Sequence, residues 1–197
     1  MSLTVWILLA VALGVLFWAV ATYNRLVVLR NEIANAFAQI DVQLKRRYDL
    51  IPNLVEVAAK YLTHEMQTLQ AVIAARNQAR VAEQTAATNP LSAGALGALS
   101  GAEQVLGGAL GRLFAVVEAY PELKADDTLR ELSEELGSTE NRIGFARQAY
   151  NDQVLAFNNA AAQFPALIVA RLLNFPVQAM LESTTTDEER QPVRVRF

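Results

Sequence analysis

An all-α fold is predicted: a single N-terminal transmembrane helix that continues into an antiparallel bundle of long helices. Three observations predict it. Residues 3–22 carry no charge, and at about 1.5 Å per residue they span roughly the 30 Å hydrocarbon core of a bilayer. Through the rest of the chain apolar residues recur at three- and four-residue steps, the period of a helix with one buried face. Finally, the composition is 53% hydrophobic with only nine Gly and six Pro, and the alternation that marks strands is nearly absent. Of the 197 residues, those beyond position 22 suffice for one domain and are short for two.

Residues 1–23 are read as the transmembrane anchor. Trp6 and Trp18 sit near the two ends of the apolar run, with Tyr23, Arg25 and Arg30 just after it. Amphipathic rings at headgroup level and cations beyond them suit an anchored helix. The alternative is a cleaved signal peptide, because Ala19-Val20-Ala21 has the small-x-small form of a cleavage site. Against that, no Lys or Arg precedes the run, it is longer than the usual signal core, and the helical pattern passes through the proposed cut. The cations at Arg25, Arg30 and Lys45-Arg46-Arg47 favour the cytoplasmic side of the membrane for the bulk of the chain, with the opposite side as the alternative. The absence of cysteine is compatible with either compartment.

The bundle is assigned to residues 24–182. A first helix over about 24–48 carries Leu26, Leu29, Ile33, Phe37, Ile40 and Leu44 on one stripe. A kink or break is expected at Asp49-Leu50-Ile51-Pro52, where Asp49 would cap a second helix and Pro52 would fall in its first turn. That helix, about 50–83, presents Leu54, Val55, Ala58, Tyr61, Leu62, Leu69, Val72 and Ile73. Residues 85–101 are small, uncharged and interrupted by Pro and Gly, and read as a loop. A third helix over 102–120 contains Gly107 and Gly111, a spacing that predicts close packing against a neighbouring helix.

The fourth helix, about 127–163, has the most regular pattern. Leu129, Leu136, Ile143, Tyr150, Phe157 and Phe164 fall every seven residues, the repeat of a left-handed seam. Beside it run Glu140, Arg147, Asn151 and Asn158. The preferred reading of that line is a polar network whose Arg and Asn reach Gln39, Asp41, Gln43 or Asp49 across the bundle and fix its register. The other reading is a groove for a ligand or partner. A short apolar element at 165–182 is expected to cap the bundle, or else to contact membrane or another protomer. Residues 183–197 form a tail in which alternating Val and Arg give the one strand-like signal.

Several chemistries lack their residues. The single histidine, His64, stands in His-Glu-Met-Gln-Thr, so the second ligand of a His-Glu-x-x-His zinc site is missing. There is no cysteine nucleophile, no Gly-x-Ser-x-Gly and no phosphate-binding loop after a strand. No cofactor or metal is expected. With a net charge of −3, nucleic acid is an unsuitable partner.

The block Asp41-Val42-Gln43-Leu44-Lys45-Arg46-Arg47-Tyr48-Asp49-Leu50-Ile51-Pro52-Asn53-Leu54 resembles the LemA family. So do Tyr23-Asn24-Arg25-Leu26, Glu118-Ala119-Tyr120-Pro121-Glu122-Leu123-Lys124, Glu140-Asn141-Arg142-Ile143 and Phe157-Asn158. The sequence departs from the usual pattern at Phe37-Ala38 and at Asn174-Phe175-Pro176. The resemblance implies a bacterial protein with one N-terminal anchor and a helical bundle. It implies no catalytic residues, and some members of the family are associated with magnetosome membrane formation. The expected function is a non-catalytic scaffold that self-associates and organises a membrane patch or envelope proteins. Its partners would be the bilayer, further copies of itself and other envelope proteins. Asp41, Lys45, Arg46, Asp49, Glu140, Arg147 and Asn151 are the expected organising polar network. The alternative is an adaptor or regulator of a membrane protease or signalling protein, and a weaker third reading is a small-molecule groove along the polar line.

Overall fold

The computed structural model describes residues 3–181. These residues form α1 (Leu3–Ala59), α2 (Met66–Thr88), α3 (Ala93–Glu118), the short α4 (Pro121–Lys124), α5 (Asp127–Ala162) and α6 (Ala166–Leu172). No strand occurs among the described residues. The Val/Arg tail lies outside them.

α1 is one continuous helix of 57 residues and differs along its length. Its side chains from Leu3 to Phe17 are all exposed, and partial burial begins at Trp18, Ala19 and Thr22. From Leu26 onward one stripe is buried: Leu26, Ile33, Phe37, Ile40, Leu44, Ile51 and Leu54 are each no more than 2% exposed. Burial of each such side chain is worth roughly 1.5–3 kcal/mol against leaving it in water. The stripe packs against α5, which runs antiparallel to α1, with Phe37 meeting Tyr150 edge-on at 6.1 Å. On its other side α1 packs against α2, and α2 against α3.

Three expectations about the helices are corrected. The break at Asp49–Pro52 is absent, because α1 runs through Pro52 to Ala59. Pro52 cannot donate to the Tyr48 carbonyl, four residues earlier; the Arg76 Nε of α2 donates to it instead, at 3.0 Å. The chain turns at 60–65, a stretch without Gly or Pro. The turn there is held by Leu62, which is fully buried, and by the Tyr61 hydroxyl, which donates to Asp126 at 2.9 Å. The expected loop over 85–101 shrinks to residues 89–92. α2 reaches Thr88, and Ser92 caps α3 by accepting from the Ala95 N–H at 3.3 Å. Burial of Ala86, Leu96, Leu99 and Ala102 draws these small-residue turns into helix.

The third correction concerns Gly107 and Gly111. A Cβ placed on either would meet nothing within 4 Å, so within the chain they are not points of close helix packing. They face the gap between α3 and α5.

Candidate functional site: buried charges and an open groove

Charged residues enter the core of the bundle at two levels. At the first, Arg47 occupies the seam of α1, seven residues after Ile40 and seven before Leu54, and is 7% exposed. Its Nη1 lies 2.8 Å from Glu103 of α3 and 2.9 Å from Glu140 of α5. The Tyr48 hydroxyl donates to the other Glu103 oxygen at 2.6 Å. Burial first, and then the Glu103 charge, push the Tyr48 phenol far above its ordinary range. One arginine thus ties three helices together. Glu103 is itself buried but doubly hydrogen-bonded, the condition under which such a charge is tolerated.

The second level lies nearer the start of the buried stripe. Lys45 Nζ donates to Asp41 at 2.6 Å and stands 3.7 Å from Glu83 Oε1 of α2. Glu83 is 1% exposed. Burial, reinforced by its hydrogen bond with Asp41 and by the Asp41 charge, pushes the Glu83 carboxyl up to about 7. Burial acts on Asp41 in the same sense, but the hydrogen bonds from Glu83 and Lys45 outweigh it and hold Asp41 below its usual value. Asp41 Oδ1 and Glu83 Oε1 find no donor among the other described groups. A proton held on Glu83 and shared with Asp41 satisfies the pair, which is what the opposite shifts express.

The expected network is therefore divided. Asp41 and Lys45 join with Glu83. Arg46 reaches a different acidic residue, Glu135, with its Nε donating at 3.0 Å. Glu140 is held by Arg47. Asp49 is exposed and makes no ion pair or side-chain hydrogen bond with the described residues. Arg147 and Asn151 do not reach Gln39, Asp41, Gln43 or Asp49. Asn151 instead grips the backbone of Leu181, accepting from its N–H at 2.8 Å and donating to its carbonyl at 2.7 Å. Asn158 holds Gln178 in the same way, at 2.9 and 3.0 Å. Residues 175–181 accordingly run as an extended strap along α5, opposite to its direction.

Arg147 lines a groove of about 670 Å³ between α3 and α5, with Gly107, Gly108, Gly111 and Gly137 on its walls and Arg47 and Glu140 at one side. Among the described residues Arg147 has no charged partner. Of the four residues read as membrane markers, Trp6 and Arg25 are exposed, Trp18 is half-buried, and Tyr23 stacks edge-on against Phe175 at 5.7 Å. No group of three or more potential metal ligands occurs among the described residues.

Sequence reasoning missed Arg47, Glu83 and Glu103 as site residues, although a signal exists. Each stands where the three- and four-residue steps of its helix call for an apolar side chain. Glu103 falls between Leu99 and Leu106, Glu83 between Ala79 and Ala86, and Arg47 between Leu44 and Ile51.

The LemA family profile matches residues 36–197. The magnetosome protein MamQ of Magnetospirillum gryphiswaldense is 26% identical over 168 residues, covering 78% of this chain and 62% of that protein. MamQ 1 and MamQ 2 of Paramagnetospirillum magneticum are each 27% identical with the same coverage. The chain thus spans about 62% of the length of these curated relatives.

Proposed function

This chain belongs to the LemA family, and on that premise we propose that it is a non-catalytic, membrane-anchored helical scaffold. It sits in the bacterial cytoplasmic membrane with its bundle on the cytoplasmic side, self-associates, and organises a membrane patch or envelope proteins. The observation that carries this reading is the continuity of α1. One unbroken helix has an N-terminal third long and apolar enough to cross a membrane, exposed from Leu3 to Phe17, and a C-terminal half that buries one stripe in the bundle. A helix without a hinge transmits the position of the bundle to the bilayer, and an array of bundles to a membrane shape. Likeness to magnetosome proteins adds support. Exposed apolar side chains on the two longest helices, Val28, Val42, Phe145 and Leu155, offer self-association surface.

The second reading, an adaptor for a membrane protease or signalling protein, draws on the α3–α5 groove. There an extended segment of such a partner would lie in line with the strap that Asn151 and Asn158 already hold by its backbone. The mass of the full-length protein in mild detergent, by light scattering, separates the two. The scaffold predicts a defined particle larger than a dimer. A monomer or dimer puts the adaptor first.

A further inference from the structure

We propose that α6 and the turn after it form a second membrane-contact site, seated at the headgroup level of the same bilayer that α1 enters. This inference rests on the reading of α1 as an anchor. α5 runs antiparallel to α1 and ends at Ala162. The pairings Phe37–Tyr150, Arg47–Glu140 and Tyr61–Asp126 place that end level with about residue 25 of α1, just beyond the apolar run. α6 packs against α1. Phe175 stacks on both Tyr23 and Phe157, which fixes this corner of the bundle beside the exit of the apolar run. The first loss of exposure along α1, at Trp18, Ala19 and Thr22, falls within the last turn and a half of that run. The bundle therefore begins inside the depth at which interfacial aromatic residues sit.

The outer face of this corner is apolar and bare. Phe164 is 83% exposed, Leu172 78% and Val177 81%, with Ile168 and Leu173 each about half exposed. Ile168 and Leu172, four residues apart on α6, share one face of that helix, and Phe164 stands exposed in the turn that leads into it. A soluble bundle would leave such a group in water at a cost; a bilayer surface covers it without a protein partner.

The charge on this end points to the same occupant. Residues 3–31 and 153–181 contain no Asp or Glu, and their cations are Arg25, Arg30 and Arg171. Arg171 stands beside Leu172 on α6 and is exposed. Apolar side chains in the acyl boundary with arginines at phosphate level are the division of labour of an interfacial helix. With α1 crossing and α6 lying on the surface, the bundle is held at two points, which fixes its tilt and its rotation about the α1 axis.

The natural absence of cysteine makes a depth measurement direct. Single variants Gly14→Cys, Leu172→Cys and Gln148→Cys of the full chain carry an environment-sensitive fluorophore in phosphatidylethanolamine/phosphatidylglycerol vesicles whose acyl chains are brominated at shallow or deep positions. Gly14 has open space around it, Leu172 is exposed, and Gln148 lies on α5 about 25 Å from the exit of the apolar run. The expected result is deep quenching at Gly14, shallow quenching at Leu172 several-fold above that at Gln148, and a smaller Leu172 signal when phosphatidylglycerol is omitted. Deep quenching at Gly14 with Leu172 no more quenched than Gln148 overturns the second contact and leaves the anchor standing. Absence of quenching at Gly14 overturns the anchor and this inference together.

Discussion

Arg47 is the residue on which the bundle's charged core turns. Its guanidinium meets carboxylates from two other helices, and Glu103 is buried with it. Removing one member of a buried pair leaves the other without compensation, a cost of about 3–5 kcal/mol, whereas replacing both with apolar side chains is often neutral. Arg47→Leu is therefore expected to lower unfolding stability by that amount, and Arg47→Leu with Glu103→Leu to recover most of it, as measured by chemical denaturation in mild detergent. Glu83 gives a pH dependence. Its carboxyl is raised in the fold from 4.5 to about 7, so the folded state holds the proton more firmly than the unfolded chain does. The stability contributed is complete below about pH 4.5 and is lost as the pH rises through 7. Asp41, lowered in the fold, acts in the opposite sense and only in more acidic solution. Glu83→Gln is expected to flatten the slope of melting temperature against pH between about 5 and 8 and to stabilise the protein by about 1–2 kcal/mol at the upper end of that range; an unchanged slope would place the proton elsewhere. At this scale the sequence was only partly legible. Asp41, Lys45 and Glu140 were visible as polar groups near apolar seams, but their partners depend on which helices meet, and single-helix periodicity does not carry that information. Arg47, Glu83 and Glu103 were legible in principle, as charges standing in apolar rows.

Pro52 shows how an element boundary can be misread. Proline inside a helix removes one hydrogen bond and marks a break on local grounds, yet α1 continues because the orphaned Tyr48 carbonyl is taken by Arg76 from the adjacent helix. The signal for a break was real, and a contact 28 residues away along the chain cancels it. This pairing makes a double-mutant cycle. Arg76→Leu leaves a carbonyl without a partner and is expected to cost about 1–3 kcal/mol. In a Pro52→Ala background, where residue 52 regains its N–H, the same change is expected to cost much less; equal costs in both backgrounds would mean that Arg76 acts on something else. The α2–α3 connection was misread for a related reason. Its Gly, Ser and Pro signal a loop while its alanines are the best of helix formers, and burial of Leu96, Leu99 and Ala102 against the bundle decides the outcome in favour of helix. By contrast α5 was placed within one residue at its C-terminal end, and its apolar repeat is buried from Leu129 to Phe157, but Phe164, read as the sixth member of that seam, falls beyond the helix and is 83% exposed.

At the scale of the whole molecule, the bundle is closed on three sides and open on the fourth. α1 joins α5 and α2, α2 joins α3, and the α3–α5 side keeps a glycine-walled groove with Arg147 on its rim. All-α architecture and the apolar N-terminal run were legible from composition and period alone. The open side was not, since the Gly107 and Gly111 spacing equally describes a packed helix face and an empty one. The surface that would join one copy to the next is the exposed apolar group on α1 and α5. Phe145, 74% exposed in the middle of α5, is its most prominent member, and Phe145→Lys is expected to reduce particle mass in mild detergent while leaving the melting temperature within a few degrees, since surface changes move stability by roughly 0.5 kcal/mol. The central claim, self-association of a membrane-anchored bundle, is tested most directly by counting subunits in native membranes, through stepwise photobleaching of the full-length chain carrying one fluorophore per copy at native abundance. The scaffold predicts diffraction-limited spots that bleach in more than two steps; spots that bleach in one or two steps throughout the membrane would contradict it.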